Sequence, residues 1–304
     1  MGSPLRLTIG AGRTRTGDAG RWWEVVTEEF EAAEAAMSRV RDDSELTALN
    51  RTAGSGVALR ASVRLRRALV ASDRARRITD GRFDPRVLVS LDRLGYRGAP
   101  LAAVTMDAGA ADEAERARPV VEWVGRDRLR IARPIDLGGI GKGLTLRWAA
   151  ALLAGRGAAD FMLEAGGDLV ARGRSPEGGP WQIGIEDPAG GPGPLAVIAV
   201  TDMAVTTSST RVQRWNVDGR TAHHLVNPRT GEPADGGIAA VTVAGPDPAW
   251  AEVWSKVLFL GGRGRIAGEA RSRALAAWWV ADDGTLEMTA AARALTAWVA
   301  AEAR

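Results

Sequence analysis

The chain has 304 residues, 45% hydrophobic and 25% charged, enough to bury a large core and far from a disordered or collagen-like composition. Forty basic against 37 acidic residues leave a formal net charge of +3, too even for the concentrated basic face of a nucleic-acid binder. The complete lack of cysteine excludes disulfides, thiolate metal sites and a cysteine nucleophile, and no run of about 18 apolar residues is present to span a bilayer.

A strand is predicted at 5–9. Trp22, Val25, Val26, Phe30, Ala33 and Met37 then recur every three to four residues and predict an amphipathic helix over about 20–40. A second helical pattern covers 62–78, and Gly81-Arg82-Phe83-Asp84-Pro85 marks a turn or helix entry leading to Tyr96. The alanine-rich, acidic stretch 102–118 reads as a surface loop with some helix. Beyond residue 120 short apolar runs separated by glycine turns predict strands at 120–124, 129–131, 161–163, 195–201 and 238–243. Between them, 175–193 encloses an alternating Trp181, Ile183 and Ile185, the pattern of a hairpin excursion. Helical spacing returns at 144–153, 250–260 and 289–301. Helices and strands mix without regular alternation, which predicts an α+β fold of mixed sheets with flanking helices. No linker is evident, so one structural unit over 1–304 is expected, with one lobe or two left open.

Two residue types are scarce enough to be informative. Lys142 and Lys256 are the only lysines among 40 basic residues, which suggests positions wanting a compact point charge instead of a planar fork. His223 and His224 are the only histidines, so a neutral-pH imidazole base must be one of them. Neither has the companions of a zinc set.

Five clusters could carry chemistry. Asp136-Leu137-Gly138-Gly139-Ile140-Gly141-Lys142-Gly143 precedes a helical pattern; its amides and helix start suit an anion, and a tight turn before a packed helix would read the same way. Glu164-Ala165-Gly166-Gly167-Asp168 reads as a hairpin turn in which the aspartate caps local N–H groups. Thr206-Thr207-Ser208-Ser209-Thr210, followed by Arg211 and Arg214, is either a site for an anionic ligand or a polar loop. His223 and His224 precede an apolar pair and a rigid Asn227-Pro228 turn ending at Gly231, which holds an imidazole at a strand end. Glu252 and Lys256 are four apart on one helical face, and the simplest expectation for them is a salt bridge of a few tenths of a kcal/mol.

In this order the clusters resemble the ApbE family of FAD:protein FMN transferases. Met1-Gly2-Ser3 is similar to that family's Met-Gly-Thr start, residues 38–50 (SRVRDDSELTALN) to its Ser-x-aromatic-x-x-Asp-Ser-Glu-Leu-x-x-x-Asn segment, and Gly81 to Asp84 to its Gly-Ala-Phe-Asp element. The resemblance covers nearly the whole chain. It implies a single domain that binds FAD and passes its FMN phosphate to a threonine or serine hydroxyl of an acceptor protein, releasing AMP. By motif position Met1, Arg82, Phe83, Asp84, Asp136, Lys142, Thr207 and Leu225 would line the FAD site. His224 would be the base for the acceptor hydroxyl, with Lys142 supplying charge at the pyrophosphate. FAD binding without transfer, and hydrolysis of FAD to FMN and AMP, stay open as alternatives.

The resemblance also implies magnesium, held by the Gly139 carbonyl and by Asp and Thr four apart on the late helix. Here those two positions are Glu252 and Lys256. Glutamate still offers oxygens, but a charged ammonium has no lone pair, so an ammonium in place of the cation is the competing expectation. The family's aromatic is Val40 in this chain, which shifts flavin stacking to Phe83 or a tryptophan. With no leader or lipid-attachment cysteine in 1–10, a cytoplasmic protein is expected.

Overall fold

The computed structural model describes residues 4–12, 17–96, 113–211, 213–217 and 219–301. Met1 and most of 102–118 therefore lie outside the described residues. Two compact units are present, and each is described by itself: a smaller one of residues 31–141 with 214–234, and a larger one of 2–30, 142–213 and 235–304.

The larger unit is built on a seven-stranded antiparallel sheet in the order Leu5–Ile9, Phe161–Ala165, Asp168–Arg172, Met203–Ser209, Ile238–Gly245, Ala276–Ala281 and Leu286–Met288. Alternation along the strands gives it two apolar faces. Phe161, Leu163, Val170 and Ala204 meet Trp22 and Val26 from the helix Asp18–Met37 and Leu146, Ala149 and Leu153 from the helix Gly141–Gly155. Leu169, Ala171, Val205, Trp278 and Val280 face the other way, onto Trp181, Ile185, Ile198 and Val200. Those four belong to a three-stranded sheet of Trp181–Ile185, Ala196–Val200 and Thr296–Val299, so the expected hairpin excursion is present.

A third helix, Pro248–Gly261, starts at a well-formed cap: the Asp247 carboxylate accepts from the N–H groups of Ala249 at 3.0 Å and Trp250 at 3.1 Å, with proline at the first turn. It ends where Gly262 passes Gly236 so closely that a Cβ on Gly236 would lie 2.6 Å from the Gly262 Cα. The helix Arg263–Ser272 follows.

One expectation fails in this unit, and one of two open alternatives is excluded. The predicted helix over 289–301 is a single turn, Ala290–Arg293, capped by Thr289, followed by the strand Thr296–Val299. The alanines carry the helical signal only so far, and the segment beyond pairs with Ala196–Val200. The hydroxyl run at 206–210 is not a loop: Thr206, Thr207, Ser208 and Ser209 all lie in the strand Met203–Ser209.

The smaller unit carries the helices Glu45–Arg51, Val63–Ile78 and Leu88–Arg93. Val63–Ile78 is capped by Ser62, and Glu45–Arg51 by Ser44, whose hydroxyl accepts from the Thr47 N–H at 3.0 Å. Glu45 reaches back to accept the Ser62 N–H at 2.7 Å. The expected helix entry at Asp84-Pro85 is a short turn, Pro85–Val87, leading into Leu88–Arg93. A three-stranded sheet (Leu59–Arg60, Arg128–Arg130, Glu122–Val124) and a hairpin (Arg214–Val217 with Arg220–His223) complete it.

Candidate functional site

The predicted site residues fall into two centres, one in each unit.

In the larger unit the centre forms where the helix Gly141–Gly155 starts. Phe161–Ala165 and Asp168–Arg172 are joined by Gly166-Gly167 at φ of 60° and 90°, a two-residue turn that only residues tolerant of positive φ can make. That turn delivers Asp168 to a buried position. One carboxylate oxygen is ion-paired with the Lys142 ammonium, and the other accepts from the Thr207 N–H at 3.0 Å. The aspartate expected merely to cap a turn thus fixes the only lysine of the glycine loop. Thr207 presents its hydroxyl to that of Thr242 at 2.9 Å.

Gly143 is pressed against the start of the helix Pro248–Gly261; a Cβ there would lie 2.5 Å from the Pro248 carbonyl oxygen. This close approach lets the Gly143 N–H donate to the Glu252 carboxyl at 2.8 Å. Glu252 is buried, and desolvation pushes its carboxyl up to about 7 against the pull of Lys142, the Gly143 N–H and Lys256. The same helix is tied to the hydroxyl strand by Ser255 and Ser208, whose hydroxyls are 2.9 Å apart.

These residues do not fit a divalent cation. Glu252 is already a hydrogen-bond acceptor, both Asp168 oxygens are engaged, and Lys256 brings an ammonium where an oxygen donor is wanted. Among the described residues no group of three or more His, Asp or Glu side chains is arranged to hold a metal.

In the smaller unit the first half of the glycine loop is held by its own backbone and by Asn50. The Asn50 amide donates to the Ile135 carbonyl and accepts from the Ile135 N–H, both at 2.9 Å. Asp136 bonds the Gly138 N–H at 2.6 Å and pairs with Arg39 at 2.5 Å. Arg39 in turn lies over the ring of Tyr96 at 4.7 Å. Tyr96 stacks with Trp215 at 5.1 Å and with His224 at 6.0 Å, the latter at an interplanar angle of 21°. Composition and motif order gave no signal for Arg39 or Tyr96 as site residues; Arg39 was hidden inside the 38–50 segment and Tyr96 was treated only as a turn boundary.

The two histidines are sorted by their hydrogen bonds. His223 is buried, its Nδ1 accepts from the Leu225 N–H at 3.3 Å and its Nε2 lies 3.0 Å from the Ala234 carbonyl. Accepting at one nitrogen requires the proton on the other, so His223 is a neutral, fully employed brace of the 225–234 turn. His224 follows the strand end and is half-buried against Tyr96.

The remaining predicted residues are less available. Asp84 is buried in a two-point ion pair with Arg86, at 2.9 and 2.6 Å, and caps the turn that follows it. Phe83 and Leu225 are buried at 3% and 0% exposure, which makes Phe83 part of the interior instead of a flavin platform. Arg82 donates to the Thr79 carbonyl at 3.1 Å. Val40 is exposed.

A model described as the ApbE family matches residues 1–279. The FAD:protein FMN transferase of Haemophilus influenzae is 29% identical over 279 residues, 84% of this chain and 78% of that protein. That of Treponema pallidum is 30% identical over 75% of this chain and 67% of its own length. That of Salmonella typhimurium is 27% identical over 68% of this chain, and the match spans only 61% of it. Among solved structures, the ApbE protein from Thermotoga maritima superposes with a TM-score of 0.80 at 22% identity, covering 96% of this chain and 99% of that one. The apo form of Pseudomonas stutzeri flavinyl transferase ApbE gives 0.77 at 23% identity, covering 98% of each.

Proposed function

The chain belongs to the ApbE family, and from that membership we propose that it is an FAD:protein FMN transferase acting on a threonine or serine hydroxyl of an acceptor protein. The hydroxyl oxygen attacks the phosphorus of the FMN half of FAD. The P–O bond to the AMP phosphate breaks, AMP leaves with the electron pair, and the hydroxyl proton passes to His224. The observation that carries this reading is the sorting of the histidine pair. With both ring nitrogens of His223 bonded to backbone, His224 is the imidazole left to accept a proton.

Lys142, held by Asp168 beside the Gly143 amide, is the group assigned to the diphosphate charge. Asp136, fixed by Arg39 and the Gly138 N–H, is assigned to a polar contact with the flavin nucleotide, as are Arg82 and Thr207. Asp84, Phe83 and Leu225 support these positions from the interior. No step is routed through a metal, because the donor set in the larger unit does not suit one.

The test is to incubate the protein with FAD and a peptide bearing a threonine among small residues, then read peptide mass and free AMP. A mass gain of one FMN unit with AMP release in equal amount supports transfer. AMP without peptide gain would favour an FAD pyrophosphatase, and neither product would favour a flavin-binding protein.

A further inference from the structure

The centre at Lys142 and Glu252 brings together the Asp168 carboxylate, the buried Glu252 carboxyl and two ammonium groups, Lys142 and Lys256, which are the only two lysines in the chain. Lys256 stands one helical turn beyond Glu252 on the helix Pro248–Gly261. Three of the carboxyl oxygens here are already engaged: one of Asp168 with Lys142, the other with the Thr207 N–H, and one of Glu252 with the Gly143 N–H. A doubly charged ion placed among them would meet two ammonium groups, and the Lys256 position offers it no lone pair.

We propose that the paired ammonium groups of Lys142 and Lys256 do the work of a divalent cation at this centre, so that the chain neutralises the diphosphate of its dinucleotide without bound metal. The inference rests on the transferase reading for the identity of the diphosphate and goes beyond it in naming the source of the charge. An ammonium suits the task chemically. It is a compact cation with three donors that can follow phosphate oxygens as charge accumulates on the departing AMP, and it gives up no proton in doing so. Two of them supply the same formal charge as one magnesium ion. In a chain that uses arginine at its other 38 basic positions, lysine at both of these points marks a requirement for a point charge instead of a planar fork.

The test has two independent readouts. First, magnesium chloride is titrated calorimetrically into protein stripped with EDTA. Wild type is expected to give no saturable heat, while Lys256→Thr, which removes a cation and supplies a hydroxyl oxygen, is expected to acquire a saturable magnesium response. Second, FMN transfer to the threonine peptide is followed in EDTA and in magnesium. Wild type is expected to keep its rate within about two-fold in EDTA, and Lys256→Met to lose about 100-fold. Saturable magnesium binding by wild type, or loss of its turnover in EDTA with recovery on adding magnesium, would overturn the proposal. If wild type transfers no FMN in either medium, the transferase reading fails, and the calorimetry still decides whether this centre takes a metal.

Discussion

Replacing Gly143 with alanine puts a methyl carbon 2.5 Å from the Pro248 carbonyl oxygen, 2.6 Å from the Ala249 Cα and 2.7 Å from the Ala249 nitrogen. All three are backbone atoms in the first turn of the helix Pro248–Gly261, so no side chain can swing aside, and the two helix starts must separate by about 1 Å to reach ordinary contact. Overpacking of this kind costs about 1–3 kcal/mol. Separation also stretches the 2.8 Å bond from the Gly143 N–H to Glu252, worth about 1.5–3 kcal/mol if the carboxyl is ionised. The two losses share one movement and do not simply add, so about 3 kcal/mol is expected, or roughly 6–12 °C in Tm for a unit of this size. Gly155→Ala is the control: it lies in the last turn of the same helix with nothing within 4 Å of its Cβ, and there alanine should be neutral or stabilising by up to about 1 kcal/mol. Thermal unfolding followed by circular dichroism reads both. If Gly143→Ala melts with the control, the close approach of the two helices is not the constraint described.

Three further outcomes are expected. Because burial raises Glu252 from 4.5 to about 7, the folded protein holds a proton that the unfolded chain releases, so this group makes stability fall as pH rises from about 4.5 through 7, by up to about 3 kcal/mol; Glu252→Gln should remove that slope from urea unfolding curves, and an unchanged slope would refute the burial argument. His224→Ala should lose transfer by at least about 100-fold with FAD affinity measured by fluorescence nearly unchanged, whereas His223→Ala should unfold more readily because two backbone groups lose their partner; the reverse pattern would exchange the roles. Tyr96→Leu should lower kcat about ten-fold with little change in KM because His224 loses its stacking surface, and Tyr96→Phe should restore most of it.

Local signals explain what the sequence disclosed. The helix over 62–78, the strand at 161–163 and the glycine turn at Gly166-Gly167 are each written in a few neighbouring residues, and each is where periodicity and turn chemistry place it. The centres depended on long-range placement. Asp168 looked like an ordinary turn residue because nothing near it in sequence announces Lys142, 26 positions earlier. Arg39 and Tyr96 become informative only once the fold stacks them near Asp136 and His224. The hydroxyl run left a polar loop open as one reading because its polarity masks its alternation; exposed Thr207 sits between buried Thr206 and Ser208, as in a strand. The C-terminal segment failed for the opposite reason, since alanine-rich helical texture gave way to an edge that only a distant strand could pair.

The outermost strand of the large sheet, Leu5–Ile9, has as its neighbour Phe161–Ala165, about 150 residues further along. During translation at about 5–20 residues per second, that ribbon and the apolar face of Trp22 and Val26 wait roughly 8–30 s before their counterparts leave the ribosome. Nascent chains are therefore vulnerable to misassociation in this interval, and a holding chaperone that engages the first 40 residues would raise the yield of native protein more than one that acts after release.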